Sequence, residues 1–423
     1  MDAVIYRAYV DILKEELIPA MGCTEPISVA YAAAIAADRL GTLPEKVIVK
    51  VSPNILKNVK SVVVPNTGGL RGVEAAAAAG IVAGKCNKQL EVISEVSDEQ
   101  RILISAYLEQ AEFVLMKSES GYLFDIEIIA MGGGHTAVAR IAGSHTNVIY
   151  IARDNDVEVE VPFEVEQGST GTDRSVLNIK DIVAFAECVK LEDIRETIER
   201  QIDYNMAIAR AGMDGNYGAC IGKVLIASYG DTVQNRAKAY AAAGSDARMN
   251  GCNMPVIINS GSGNQGITAS VPVIVFARDM GVSDDYLYRA LVVSNLVTIH
   301  LKTGIGPLSA YCGAISAGCG AGAGITYLRG GKFGEIAHTI VNALAINSGV
   351  ICDGAKSSCA AKIASAVEAG MLGMQMYEYG TQFYGGEGIV TKGVENTIRN
   401  VGRLAKQGMA GTDKEIIDIM ISC

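Results

Sequence analysis

The chain has 423 residues, of which 49% are hydrophobic and only 19% charged, with 47 glycines, so it can bury a large core and divide into two domains. A formal net charge of −10, with lysine and arginine scattered along the chain, excludes the basic footprint that nucleic acid requires. The opening MDAVIYRAYVDILKEELIP carries acids at regular intervals and lacks the basic start and apolar run of a secretory signal, so a cytoplasmic protein with no membrane partner is expected.

From Val4 to Leu40 apolar residues recur at helical spacing, broken by Pro19 and Pro26 around Gly22 and Cys23. This predicts two helices joined at the cysteine, with Thr24, Glu25 and Pro26 in the first turn of the second. A cysteine placed there feels the positive end of the helix dipole, which predicts a lowered thiol pKa. Residues 1–45 are expected to pack on a helical domain.

Residues 46–170 read as an α+β domain with an antiparallel sheet and helices on one face. Its predicted strands are KVIVKVS, QLEVISEVS, LFDIEIIAMG, HTAVARIAG and TNVIYIARD; Val73 to Ala83 and Glu99 to Met116 are predicted helices. The acidic, then polar VEVEVPFEVEQGSTGTDRS is the predicted linker. Residues 171–423 read as a mainly α-helical domain that carries the cysteine cluster, interrupted by NSGSGNQG, LKTGIGP, LRGGK and CDGAK. The stretch from Cys312 to Leu328 is Gly, Ala and Ser rich, too short and small-sided for a bilayer span, and is read as a tightly packed internal helix. The fold class expected is therefore α+β.

Ten cysteines are many for a reducing compartment, where disulfides seldom persist. Cys86, Cys188 and Cys220 are read as small buried hydrophobes. Cys312 in PLSAYCGAISAGC and the pair Cys352 and Cys359 in GVICDGAKSSCAAK can supply three thiolates for an iron–sulfur cluster, with Cys23 of PAMGCTEP left to act on a substrate. No CxxC pair, Walker loop or HExxH is present, which removes the commonest zinc and nucleotide readings. GSGNQG fits GxGxxG but lacks a βαβ setting, and Lys302 and Lys356 are Schiff-base candidates by location only. Of four histidines, His338 is read as structural, while His135 and His145 flank one predicted strand and can face a pocket or simply satisfy turns. For an amino-acid substrate, Asn66, Thr67, Gly68 and Gly69 offer turn amides to a carboxylate, and Asn259, Ser260, Asn264 and Gln265 offer neutral hydrogen bonds.

The motifs MGCTEP, INSGSGNQG, YCGAISAGCGAG and ICDGAKSSCA, in that order, closely resemble the L-cysteine desulfidase family, which is related to the α-subunit domain of iron–sulfur L-serine dehydratases. The resemblance covers nearly the whole chain. It implies a [4Fe–4S] cluster held by three cysteines with one iron open, and a separate N-terminal cysteine as proton acceptor. The implied ligands are Cys312, Cys352 and Cys359, and the implied acceptor is Cys23. Cys319 is the alternative to Cys312, which is preferred because the stretch from it to Gly331 matches the dehydratase helix with fewer gaps. The last two ligands stand closer together than in the serine dehydratases.

The reaction implied removes sulfide from L-cysteine by loss of the α proton and departure of sulfur to a Lewis-acidic iron, leaving hydrogen sulfide, ammonia and pyruvate. The other readings are an L-serine dehydratase or similar β-eliminating lyase, and a metal-binding or redox scaffold in which Cys23 completes the cluster. Cys423 is a further possible cluster contact. The small-residue helices permit association as a homo-oligomer.

Overall fold

The computed structural model describes residues 1–162, 171–306 and 308–422. The first part of the chain runs α1 (Ala3–Glu16), β1 (Pro19–Met21), α2 (Thr24–Leu40), β2 (Lys46–Val51), α3 (Pro53–Val59), α4 (Val73–Ala83), α5 (Asp98–Gln110), β3 (Glu112–Lys117), β4 (Asp125–Gly132), β5 (His135–Ala142), β6 (Val148–Arg153) and β7 (Asp156–Glu160). The second part runs α6 (Ile179–Cys188), α7 (Arg195–Asp214), α8 (Ile221–Tyr229), α9 (Val233–Met249), β8 (Pro255–Ile257), α10 (Gly263–Met280), α11 (Asp284–Ile305), α12 (Gly313–Leu328), α13 (Phe333–Asn347), α14 (Cys359–Glu378), α15 (Val394–Arg403) and α16 (Ala410–Ser422). The fold is α+β.

The larger sheet has the order β3-β2-β4-β5-β6-β7. Its neighbours are antiparallel except β2 and β3, which pair in parallel from Lys46↔Glu112 to Val51↔Lys117, so the sheet is mixed where an antiparallel one was expected. The cause is a misread boundary: the helix predicted to Met116 stops at Gln110, and the next six residues add an edge strand. QLEVISEVS forms no strand. A 3-10 turn over Cys86–Glu91 begins it, Gln89 takes φ 48°, and the Asn66 side chain donates to the carbonyls of Ile93 and Ser94, so its apolar residues enter the core without a ladder. β7 occupies the start of the predicted linker, and residues 163–170 of that linker lie outside the described residues.

Tyr6 and Tyr9 of α1 pack on Phe185 of α6. α2, expected beside α1 on the helical part, lies across β4 and β5 with α4 packed on it. Its TEPISVAYAAAIAADRL sequence is Ala-rich and almost wholly buried, which allows this close approach; a Cβ at Gly80 of α4 would stand 2.1 Å from the Ala30 carbonyl oxygen. β1 leaves the sheet alone and pairs antiparallel with β8, Pro19↔Ile257 to Met21↔Pro255. The β1–α2 junction is thereby tied to the helical half at one end and to the sheet half at the other.

In the helical half α12 is the hub, packed against α10, α11, α13 and α14. All its residues from Ala314 to Leu328 are buried. Added Cβ atoms at Gly318, Gly320 and Gly322 would meet Ala366, Thr298 and Gly370 at 2.3, 2.1 and 2.7 Å, so the glycines set the helix spacing. No helix among the described residues is long and apolar enough to cross a membrane.

Candidate active site

Gly22, at φ +54° with its Cα against Pro65, turns the chain so that Cys23 becomes the residue preceding α2. The thiol is 2% exposed and donates to Glu25 Oε2 at 3.0 Å. Thr24 Oγ1 reaches the same oxygen at 3.1 Å, and Asn58 Nδ2 donates to Oε1 at 2.9 Å. Burial first, then the charge of Glu25, pushes the Cys23 thiol well above its ordinary pKa, against the pull of Arg248. The expected lowering by the helix dipole is thus overridden, because desolvation and an adjacent carboxylate act together on the thiolate. For Glu25 itself burial raises the carboxyl pKa, but His145, the Cys23 thiol and Arg248 outweigh it and hold the group below its usual value.

His145 arrives from the turn between β5 and β6, its ring edge-on to Phe124 at 4.8 Å and its carbonyl accepting from Ser28 Oγ at 2.9 Å. Its Nε2 is buried without a partner, and burial lowers its pKa. His135, the other candidate of that strand, is half exposed at the opposite end of β5 and bonds Asp154 at 2.7 Å; the two histidines share no pocket. Arg248, in the last turn of α9, is 2% exposed, with Nε lacking any partner. The sequence did not single it out.

Cys312 precedes α12 and Cys359 opens α14. A short antiparallel bridge, Tyr311↔Ile351, brings Cys352 beside Cys312: the Cys312 amide donates to the Val350 carbonyl at 3.0 Å and the Cys352 amide to Ala310 at 2.6 Å. Burial, then Cys352 and further on Cys359, pushes the Cys312 thiol up to about 12. Burial likewise raises Cys359, with Cys352 adding to it. Cys23, Val62 and Met249 form one apolar cluster against Ala355 and Cys359. The N-terminal sulfur and the C-terminal trio therefore meet in one region, with Cys23 and Cys312 buried and Cys352 and Cys359 partly buried. Cations ring it: Lys302 is 6% exposed and feels Cys352, Cys312, Lys57 and Glu25, while Lys362 feels Cys312 and Cys359.

Among the described residues no three His, Cys, Asp or Glu side chains are disposed around one metal-ion position. A cubane takes one thiolate per iron, so its ligands surround a volume instead of meeting at a point. Three thiols converge there, two of them at helix N-termini and with Lys362 and Lys302 alongside, so positive charge stands ready to offset the thiolate charge that burial alone disfavours, and the set fits such a group.

The family model described as serine dehydratase alpha chain matches residues 87–418. The chain belongs to that family. A UPF0597 protein of Desulfitobacterium hafniense is 57% identical over 418 residues, covering 99% of this chain and 97% of the relative. UPF0597 proteins of Treponema denticola and Bacteroides thetaiotaomicron are 44% and 38% identical, each covering at least 97% of both chains. Membership in the serine dehydratase alpha-chain family supports an amino-acid lyase or dehydratase role.

The remaining candidates divide. Asn66 and Thr67 serve the turn itself: Asn66 at φ 60° bonds the Ile93 carbonyl, and Thr67 Oγ1 donates to Val64 at 2.7 Å and accepts from the Leu70 amide. Gly68 and Gly69 line a cavity of about 290 Å³ with Arg71, Asn250 and Asn253, three residues short of the start of α4, and none of the four cysteines lines it. Asn259 is fully buried on Asn295, and Ser260 bonds Asn259, so both are spent on structure. Asn264 Oδ1 and Gln265 Oε1 are buried with no partner. Gln265 lies against Gly313, next to Cys312.

Cys319 sits inside α12, 1% exposed, two turns beyond Cys312, its thiol raised to about 12 by burial; it is a core thiol. Cys188, read as buried, is exposed, and Cys86 and Cys220 are partly buried. Lys356 pairs with Asp353, and His338 stacks on Tyr377 at 4.5 Å. Cys423 lies outside the described residues.

Proposed function

We propose that the chain is a lyase that takes sulfide from L-cysteine by non-redox β-elimination, yielding hydrogen sulfide, ammonia and pyruvate. Its cofactor is a [4Fe–4S] cluster held by Cys312, Cys352 and Cys359, in a family normally associated with such a cluster. When bound, that group supplies a Lewis-acidic iron that draws off the substrate's sulfur. The observation that carries this reading is the packing of Cys23 against Cys359 in a buried cluster, with Cys352 and Cys312 beside it.

Cys23 is the proton acceptor. Its thiol proton passes to Glu25 Oε2 along the existing 3.0 Å hydrogen bond, a step that is uphill in the resting site because the thiol is raised and the carboxyl lowered, and the resulting thiolate is a strong base that removes the α proton of the substrate. Arg248 favours the thiolate, and Asn58 holds the other carboxylate oxygen so that Glu25 keeps facing Cys23. Burial of the Cys23 thiol, 2% exposed, limits the access of water to this transfer.

The test is anaerobic reconstitution followed by sulfide and pyruvate assays on wild type and Cys23→Ala, with iron measured in both. The variant should retain its iron and lose turnover by at least about 100-fold. Loss of iron in Cys23→Ala assigns Cys23 to the cluster and removes the catalytic reading. Pyruvate from L-serine without sulfide from L-cysteine makes the protein a serine dehydratase.

A further inference from the structure

Arg248 is an anomaly in the structure. A guanidinium 2% exposed is costly to bury unless a carboxylate or several acceptors engage it, yet among the described residues it makes no hydrogen bond, and its Nε is buried and unpartnered. Glu25 feels its charge but is not its partner: one carboxylate oxygen takes Cys23 and Thr24, the other takes Asn58.

Its surroundings are shaped for something else. The guanidinium lies against Gly263, the first residue of α10; a Cβ there would stand 2.3 Å from Nε and 2.8 Å from Cζ. α10 is 18 residues long, and the Ser262 side chain does not cap it. The positive end of the helix therefore adds to the arginine. Two residues further, Gln265 is 5% exposed, its Oε1 without a partner, pressed against Gly313 beside Cys312. Asn264 Oδ1 is equally unpartnered. One helix start thus collects a bare guanidinium and two bare carbonyl oxygens. A zwitterion needs that pairing.

We infer that Arg248 and the first turn of α10 form the recognition site for the α-carboxylate of a free amino acid, with Gln265 and Asn264 accepting from its ammonium group. The guanidinium fork matches a carboxylate's two oxygens, and the neutral acceptors take the ammonium without adding a competing charge. Gln265 lies against Gly313, the residue after Cys312, so an amino acid seated on this helix start is held on the side of the molecule that carries the cysteine trio. The inference rests on the lyase reading for its purpose but not for its test.

L-alanine is the probe, because it has the zwitterion and no leaving group. Calorimetry on the reconstituted protein should show wild type binding L-alanine at least about 100-fold more tightly than L-alaninamide, which lacks the carboxylate charge. Arg248→Gln should lose about 100-fold for L-alanine and little for L-alaninamide. Its melting temperature without ligand should equal or exceed that of wild type, since an unpaired buried charge has been removed, whereas a structural arginine would leave a less stable protein. No L-alanine binding, equal affinity for the two ligands in wild type, or unchanged L-alanine affinity in Arg248→Gln overturns the inference. If Arg248→Gln does not fold, the wild-type comparison of acid with amide decides. Discrimination of that kind in a protein that releases neither sulfide nor pyruvate supports the amino-acid site and removes the lyase reading; turnover with no such discrimination does the reverse.

Discussion

Lys302 shows how the site sets charge residue by residue. It lies on α11 at 6% exposure and donates to the Gly306 carbonyl. Burial lowers its pKa from 10.5 to about 8, with Cys352 and Cys312 pulling it up and Lys57 pushing it down. The folded chain therefore releases this proton before the unfolded chain does, so between about pH 8 and about pH 10.5 the unfolded state binds more protons and the Lys302 contribution to stability rises with pH. Urea unfolding of metal-free wild type and Lys302→Met across that window should show the wild type gaining on the variant by about 3 kcal/mol. A constant difference would contradict it. Cys23 teaches the complementary lesson. Its place before α2 was readable from Pro19, Gly22 and Pro26, but its protonation was not, because Glu25 and the surrounding wall act through space.

At the scale of elements, periodicity worked where helices are long or strands alternate cleanly. Val73–Ala83 is α4, the two N-terminal helices break at Cys23, and β4, β5 and β6 fall on their predicted runs. It failed at Glu112–Lys117 and QLEVISEVS, where short apolar runs are decided by neighbours: β2 recruits the first as a parallel partner, and Asn66 holds the second in a turn. The small residues of α12 were legible as a packing signal, although their partners were not. Gly322 faces Gly370 of α14, where an added Cβ meets backbone at 2.7 Å. Gly322→Ala should therefore cost about 1–3 kcal/mol in urea unfolding despite alanine's better helix propensity, and, on the proposed lyase reading, should lower the iron bound on reconstitution by displacing Cys359 at the start of α14. An unchanged midpoint would show that the two helices can part freely.

At the scale of the molecule, α16 is fastened to the site from far along the chain. Lys57 of α3 is buried and bonds Asp413 at 2.5 Å and the Cys352 carbonyl at 3.4 Å; Asn54 donates to the other Asp413 oxygen at 2.7 Å. Asp413→Ala strands the lysine, and a loss of about 3 kcal/mol is expected in thermal or urea unfolding. The double variant Lys57→Met, Asp413→Leu should recover most of it, because no charge is left unpaired. A double variant no better than the single one would place the cost in α16 packing instead.

The sequence by itself determined the α+β class, the helices of the second half, the Cys23 junction and the set of cysteines worth watching, because these follow from local periodicity, turn chemistry and residue type. Only the tertiary structure decided that His145 stands beside Glu25 while His135 bonds Asp154, that Asn66, Thr67, Asn259 and Ser260 are used internally while Gln265 and Asn264 are left bare, and that Arg248 lies at the same helix start. Those distinctions are differences in burial and in who is already hydrogen-bonded. They arise when β1 pairs with β8 and α2 lies on the sheet, bringing residues hundreds of positions apart into one largely buried region, a condition that no local stretch of sequence encodes.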